Sequence, residues 1–413
     1  MFKRILALFI ILTSLGFFNF IFIGKDILKM MEMAGIVVTA AIILLQSVYG
    51  DPEGFRKTFG WEILLIFVAV VLSMLMAWSA HNQGLPTTLI AQRFMYFYLF
   101  YFALHFLKIP DYDLEKIIVA LAVIYFLFYV MQFIAYPKLL FTIRVIEERG
   151  TIRIFQTGLP YLILAYFYVL NKSFSEMTPV RAILLASFFS VVIMMGTRQL
   201  LFSIFLLTML NILFSRKLKS KVLVVLVSSL AVIPVILMFQ DIFLNIISLS
   251  QEQSVGFEEN IRVLAGTFFL TDFFPTPWAY LTGNGADSAN SGYGVMIQMY
   301  KDVFDFYQSD VGLIGDFSKF GAVFLIAVIS ILYRILSCRL SEDLIYIKYF
   351  YAFVILTSFT GAGPFGDANS IVAVCITLYI IDVYKQRREE EENEDAEQLN
   401  AAEEVSIIAD TSG

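Results

Sequence analysis

Residues 61–79 read WEILLIFVAVVLSMLMAWS, with Glu62 as the only charged side chain among them. A helix needs about 20 mostly apolar residues to cross the hydrocarbon core of a bilayer, and this stretch meets that requirement. Runs of the same kind recur along the chain and predict twelve transmembrane helices. The predicted spans are 5–23, 31–49, 61–79, 88–107, 115–136, 154–170, 180–197, 199–214, 221–240, 312–334, 344–360 and 368–384. We therefore expect an all-α, polytopic membrane protein.

The composition of the whole chain excludes a soluble enzyme. Hydrophobic residues make up 59% of the 413 residues and charged residues only 15%, whereas a soluble domain carries roughly 25% charged residues. The chain has two cysteines and two histidines, and these four residues are scattered along the sequence. A structural zinc site takes about four such ligands, and a disulfide-stapled fold needs several cysteine pairs. We therefore expect no metal site, no disulfide framework and no cofactor.

Basic residues predict the orientation in the membrane, because Lys and Arg favour cytoplasmic loops. With a cytoplasmic N-terminus, 18 of the 29 basic residues fall on the inner side and both termini are inside. The segment SRKLKSK (215–221) is the densest of these inner clusters. The first apolar run has no small-x-small cleavage site before Gly24, so we expect a retained first helix rather than a signal peptide.

The predicted spans divide the chain into four parts. These are nine helices in 1–240 with a short outer loop at 137–153, a large outer loop at 241–311, three helices in 312–384 and a tail at 385–413. Within the large loop, residues 248–274 have the pattern of an amphipathic helix on the membrane surface. The last 25 residues, 389–413, hold ten acidic residues and no Lys or Arg. The sequence therefore predicts an acidic, disordered cytoplasmic tail.

Four arginines lie in the predicted outer loops, where the orientation rule disfavours them. Arg144, Arg149 and Arg153 belong to the short outer loop or its border, and Arg262 belongs to the large one. A guanidinium binds phosphate oxygens in pairs, so such a group suits a lipid-linked phosphate or pyrophosphate. The alternative for the first three is contact with lipid headgroups or with the acidic pair at 147–148.

Arg198 lies inside an apolar stretch, 182–214, that is too long for one span and short for two. At 1.5 Å per residue each half covers about 24 Å, against roughly 30 Å of hydrocarbon. The tip at 196–199 should therefore be recessed in a cavity open to the outer side, where a charge is a candidate functional group. The alternative is a structural arginine paired with a carboxylate of a neighbouring helix.

Four short motifs follow one another between residues 136 and 335. They are RIFQTGLP (153–160), GTRQLLFSIFLL (196–207), YLTGNGADSA (280–289) and SDVGLIGDFSKFGAVFLIAV (309–328). In order and spacing they resemble segments of the Wzy-type O-antigen and capsule polymerases and of the related O-antigen ligases. The resemblance also covers the number of helices and the place of the large outer loop.

The resemblance implies a GT-C-like fold in the bacterial inner membrane and a metal-independent glycosyl transfer. A polymerase of this kind moves a growing glycan from undecaprenyl pyrophosphate to the sugar of a second lipid-linked repeat unit. Its product is O-antigen, capsule or another exopolysaccharide. The implied partners are the donor and acceptor undecaprenyl-pyrophosphate-linked glycans, membrane lipid and a separate chain-length regulator, with no nucleic acid.

Because the leaving pyrophosphate already carries the activation, catalysis in such an enzyme needs mainly charge stabilisation. We expect Arg153 and Arg198 to supply it. Arg144, Arg149 and Arg262 are predicted to bind substrate alongside them.

Asp287 and Asp310 are the candidate bases for the acceptor hydroxyl. The alternative for Asp310 is a helix cap at Gly312 or Leu313, and for Asp287 a turn-stabilising side chain. Two aromatic residues of the large loop, Trp278 and Tyr280, are placed to stack on a sugar. Anchoring at the membrane interface is the alternative for both.

Two further functions compete with the polymerase. The ligases carry a functional histidine in the large outer loop, and here 241–311 contains none, since His81 lies in a short outer turn. A flippase for the same lipids would show charges through the middle of several helices and comparable halves. The outer arginines described above lie in loops or at the outer ends of helices instead, which favours the polymerase.

Overall fold

The computed structural model describes residues 2–49, 57–148, 151–218, 260–358 and 365–411, and side chains as far as residue 395. This part of the chain is mainly helical. Its α-helices are α1 (Phe2–Ser14), α2 (Lys25–Tyr49), α3 (Gly60–His81), α4 (Leu85–Ala91), α5 (Leu99–Leu107), α6 (Asp111–Ala135), α7 (Leu159–Ser173), α8 (Pro179–Met194), α9 (Arg198–Phe214), α10 (Ile261–Thr271), α11 (Pro277–Thr282), α12 (Gly292–Phe304), α13 (Leu313–Ser337), α14 (Ile345–Thr357) and α15 (Ala368–Thr411). Two strands, β1 (Val145–Glu148) and β2 (Thr151–Ile154), form an antiparallel hairpin.

Five of the described helices are long and apolar enough to cross a membrane. They are α2, α3, α6, α13 and the first part of α15, up to Asp395. Several shorter apolar helices accompany them, α8, α9 and α14 among these. This is the composition of a multi-pass membrane protein. The count of twelve spans stays a prediction, and the predicted span 221–240 lies outside the described residues.

Two predicted spans are interrupted in the structure. The run 5–23 is helical only to Ser14, and a 3-10 turn with left-handed Phe17 and Phe18 follows. Phe20 then forms an isolated β-bridge with Phe141, which carries the chain away from the helix axis.

The run 88–107 is divided by a 3-10 segment between α4 and α5. Here Gln92 Nε2 donates to Ser73 Oγ at 2.7 Å, and Arg93 pairs with Glu32. Both breaks coincide with contacts to residues distant along the chain, which apolar composition alone does not reveal.

The first half of α15 lies at the centre of the bundle. Its residues 371–381 are almost wholly buried, and the helix contacts α1, α5 and α7. Buried tyrosines bind this helix and its flank to the rest of the core: Tyr98 donates to the carbonyl of Phe365 at 3.1 Å, and Tyr379 to that of Ile109 at 2.8 Å. The apolar stretch in this part of α15 therefore faces protein on all sides.

Loop contacts divide the bundle into two ends. At one end, which we call the hairpin end, Ile21 N–H donates to Leu140 O at 3.0 Å and His81 contacts Asn284. At the other, which we call the basic end, ion pairs join the predicted inner segments to one another. These pairs are Arg4–Asp113 (2.6 Å), Lys217–Asp343 (2.8 Å) and Arg387–Asp111 (3.1 Å). Each end thus brings together segments predicted to lie on the same side.

Where the sequence predicts a disordered tail, the described residues are helical, and the disorder stays a prediction. From residue 385 to Thr411 the chain continues the helix α15. Side-chain pairs four residues apart support it, with Gln386 bonded to Glu390 at 2.8 Å and Arg388 to Glu392 at 2.5 Å. Such i,i+4 pairs stabilise an exposed helix even where like charges are dense.

The described part of the large loop has a small core of its own. Ala265, Phe269, Tyr293 and Ile297 are buried there against one another and against Val311. The predicted surface helix at 248–274 corresponds to α10, Ile261–Thr271, in its second half only. Residues 248–259 lie outside the described residues.

Candidate functional site

The β-hairpin presents predicted arginines at the hairpin end. In the register of the two strands, Ile146 lies opposite Arg153. The N–H of Phe155 donates to the carbonyl of Arg144 at 3.0 Å, which extends the pairing beyond the strands. Several strand residues are β-branched and so fit a pleated backbone. The predicted short outer loop therefore carries these side chains on a hydrogen-bonded pair of strands.

Arg153 reaches from the hairpin to the turn between α8 and α9. Its Nε donates to the carbonyl of Met195 at 3.1 Å, and its Nη2 to Thr197 Oγ1 at 3.4 Å. The guanidinium carbon lies 5.1 Å from the centre of the Phe155 ring. These contacts hold a half-buried cation beside the residue that begins α9.

That residue is Arg198, the first of α9. The turn before it is permitted by Gly196, whose φ is 58°. Helices α8 and α9 have 16 and 17 residues, so both are shorter than a full crossing, as the sequence predicts. Gln199 Nε2 donates to the carbonyl of Leu356 at 2.5 Å and joins this turn to the end of α14. Arg153 and Arg198 therefore lie on contacting segments.

Arg144 shares the aromatic ring with Arg153. Its guanidinium carbon lies 5.8 Å from the centre of the Phe155 ring, so two cations flank one side chain. Glu147 accepts a hydrogen bond from Tyr136 at 3.2 Å. Arg149 lies outside the described residues, and its expected role beside Arg153 stays a prediction.

Asp310 lies in a 3-10 turn just before α13. The N–H of Leu313 donates to the carbonyl of Ser358 at 2.8 Å. The N–H of Leu313 is thus bound by a backbone oxygen, and not by the Asp310 side chain that the capping alternative proposes. The half-exposed carboxylate of Asp310 instead accepts from Ser309 Oγ at 3.3 Å. The same contact to Ser358 places Asp310 at the end of α14 that also receives Gln199.

Asp287 belongs to a separate part of the hairpin end, where the loop after α11 lies on the end of α3. Gln83 supports this loop from both sides, since its Nε2 donates to Ala286 O at 2.9 Å and its Oε1 accepts from Ser288 N–H at 3.0 Å. Asp287 is close to Tyr293 of α12. Burial, and then the charge of Asp287, raise the pKa of Tyr293 well above its ordinary value.

His81, the last residue of α3, also contacts this loop. Its Nε2 lies 3.0 Å from Asn284 Oδ1, and its ring stacks on Tyr293 with centroids 4.1 Å apart and planes inclined by 15°. The sequence places this histidine outside the large loop. The fold nevertheless brings it into direct contact with the loop.

The remaining predicted residues make their contacts within the large loop. Arg262 is exposed and begins α10, where its N–H donates to Asn260 Oδ1 at 3.0 Å. Trp278 is 72% exposed. Tyr280 donates to the carbonyl of Thr271 at 2.8 Å and stacks on Phe274 at 4.1 Å. These contacts do not join them to the arginines of the hairpin within the described residues.

Charged groups that the sequence analysis passed over lie within the helices. Arg93 Nε is 2.6 Å from Glu32 Oε2, with 17% and 14% of the two side chains exposed. Asp316 is buried one turn into α13, and a Cβ on Gly366 would lie 2.6 Å from its Oδ1. The sequence signal was present, since a charge within an apolar run marks a candidate functional group.

No protein-family model and no curated protein sequence matches the chain. What the hairpin end can do chemically therefore follows from its geometry. It holds guanidinium groups on two contacting segments, one a pair of strands and the other the start of a helix. Asp310 lies just before α13, and Asp287 and His81 lie in a separate part of the same end. This arrangement suits an anionic group that must be bound through paired oxygens.

Proposed function

We propose that the chain is a membrane glycosyltransferase that polymerises lipid-linked glycan repeat units at the hairpin end. The donor is a glycan on undecaprenyl pyrophosphate and the acceptor is the sugar of a second lipid-linked unit. This end corresponds to the periplasmic side of the inner membrane in the predicted orientation. The order of the motifs and the arginine arrangement both support this function.

The single observation that carries the proposal is the contact between Arg153 and the turn that begins α9. Its bonds to Met195 O and Thr197 Oγ1 hold a guanidinium next to Arg198. Together with Arg144 beside the same aromatic ring, this puts several permanent cations in one region. A pyrophosphate leaving group needs such stabilisation as its negative charge develops.

In the proposed reaction the acceptor hydroxyl attacks the anomeric carbon of the donor. The bond from that carbon to the pyrophosphate oxygen breaks, and the electron pair leaves with undecaprenyl pyrophosphate. The hydroxyl proton passes to a carboxylate. Asp310 is the first choice, because the contact between Leu313 and Ser358 places it near the end of α14 that receives Gln199. Asp287, on the loop held by Gln83, is the second.

The arginines are tested by polymer formation in a host that lacks its own copy of the gene. Arg153→Ala and Arg198→Ala should each reduce polymer at least about a hundredfold, the scale seen when one stabilising donor is removed. Arg198→Lys should also fail, because an ammonium lacks the fork that binds paired oxygens.

Lys138→Ala is the control, since it removes an exposed basic residue of the same predicted outer loop to which no role in the reaction is assigned. Thr197→Val tests the positioning of Arg153 apart from its charge, because it removes the hydroxyl that Arg153 contacts and leaves both arginines in place. Full polymer from Arg153→Ala or Arg198→Ala, at normal membrane abundance, would refute the pyrophosphate-binding role of these arginines.

A ligase is the second candidate, and the position of His81 favours it. The imidazole contacts Asn284 and Tyr293 of the large loop, so the lack of a histidine in the loop sequence is less decisive. Analysis of lipid-linked sugars in a deletion strain separates the functions. Single repeat units on the surface acceptor indicate a polymerase, long glycan left on undecaprenyl pyrophosphate a ligase, and units trapped on the cytoplasmic leaflet a flippase.

A further inference from the structure

A cavity lies at the basic end of the bundle. Its volume is about 650 Å³. Three segments enclose it: the residues just before α3, the C-terminal end of α13 and the part of α15 around residues 382–392. It is therefore built from helices that also carry the long apolar spans.

Basic side chains dominate the charge of this cavity. Five of the lining residues are basic, Lys57, Arg334, Arg339, Lys385 and Arg388. Three are acidic, Asp382, Glu389 and Glu392. Five positive and three negative charges leave a net charge of two positive.

The acidic groups do not offset these bases evenly. Asp382 is buried and accepts hydrogen bonds from Tyr101 and from the N–H of Thr58. Glu392 pairs with Arg388, and Glu62, from outside the lining, pairs with Arg334 at 2.6 Å. Neither of these two ion pairs includes Lys57, Arg339 or Lys385.

Aromatic rings hold two of these three cations in place. Lys57 Nζ lies 4.5 Å from the centre of the Phe106 ring, and Lys385 Nζ lies 5.6 Å from that of Phe59. A ring face positions a cation but does not neutralise it. Partial burial lowers the pKa of Lys57, because loss of water disfavours the charged ammonium.

We propose that this cavity binds a phosphate-bearing anion through Lys57, Arg339 and Lys385. Its place at the end of membrane-spanning helices fits the headgroup of an anionic phospholipid, because basic pockets between such helices bind phosphate headgroups. A free phosphate compound offers the same chemistry. The proposal does not depend on the function assigned to the hairpin end.

The test measures binding to the purified full chain by native mass spectrometry. One arm titrates phosphatidylglycerol against phosphatidylcholine, and the other titrates inorganic pyrophosphate. The test variant is K57Q/R339Q/K385Q. The control, K3Q/K116Q/R216Q, removes three basic residues from the same end but outside the cavity. Size-exclusion profiles and K57R/K385R, which keeps both charges, guard against misfolding.

We expect the wild type, the control and K57R/K385R to bind phosphatidylglycerol at least about tenfold more tightly than the test variant. Phosphatidylcholine should not distinguish the proteins. If pyrophosphate alone shows this difference, the ligand is a free phosphate compound and the site still stands. Equal binding of both anions by the test variant and the control would overturn the proposal.

Discussion

Replacing Gly283 by alanine should separate the large loop from α13. Gly283 follows α11 and packs backbone to backbone against α13. Gly321 is the residue of α13 that packs against this backbone. The N–H groups of Asn284 and Gly285 donate to the carbonyls of Ser318 and Lys319 at 3.1 and 2.8 Å. This contact joins the loop that carries Asp287 to a membrane-spanning helix.

The magnitude follows from backbone angles and from the space at the glycine. Gly283 has φ 74° and ψ 175°, a region used almost only by glycine, where another residue costs about 1–3 kcal/mol. A Cβ there would lie 2.2 Å from Lys319 O, and this backbone atom cannot rotate away. Overpacking of this kind adds about 1–3 kcal/mol. We therefore expect Gly283→Ala to weaken docking of the loop by about 4 kcal/mol.

Hydrogen exchange at the amides of Asn284 and Gly285 reports this docking directly. A loss of about 4 kcal/mol raises the open population by roughly three orders of magnitude, up to the limit of a fully open loop. Gly321→Ala should act similarly, because its Cβ would lie 2.3 Å from Leu281 O. The double variant should cost less than the sum of the two, since both disrupt one contact.

Gly292→Ala is the matched control, because a Cβ at Gly292 meets nothing within 4 Å. It should leave the exchange of both amides unchanged. The reasoning fails if Gly283→Ala leaves exchange at Asn284 and Gly285 within about threefold of the wild type, a change of under 1 kcal/mol.

Two further predictions concern single side chains. Gln83→Ala removes the hydrogen-bond partners of Ala286 O and Ser288 N–H. We therefore expect the loop to lose about 1–3 kcal/mol of stability, measured by hydrogen exchange at the Ser288 amide. Unchanged exchange there would contradict this. Asp343 is mostly exposed, and its hydrogen bond with Lys217 holds its pKa below the ordinary value. The stability from this group is present above the unfolded pKa of about 4 and is lost as pH falls through the lower, folded pKa. Asp343→Asn should therefore lower the free energy of unfolding slightly at neutral pH, by under about 1 kcal/mol, and leave it unchanged at the lowest pH. An equal loss at both pH values would refute the linkage.

Sequence reasoning succeeded where the bilayer sets a simple rule of length. The run 61–79 became the long helix α3, and the stretch around Arg198 became two short helices, α8 and α9. Reasoning from local composition failed at 5–23 and at 88–107. At 5–23 a 3-10 turn follows Ser14, and at 88–107 a 3-10 segment contains Arg93, which pairs with Glu32 of another helix.

The sequence by itself indicated that this chain belongs in a membrane, because it repeats apolar runs of the length that crosses the hydrocarbon core of a bilayer. It also singled out Arg153 and Arg198 as unusual for their predicted side. Only the tertiary structure decided which groups meet. The contact of Arg153 with the turn before Arg198, the stacking of His81 on Tyr293 and the basic cavity around Lys57 all join segments distant along the chain. Such pairings depend on how helix ends pack, and the pattern of residues within one segment does not predict which distant side chain will contact that segment.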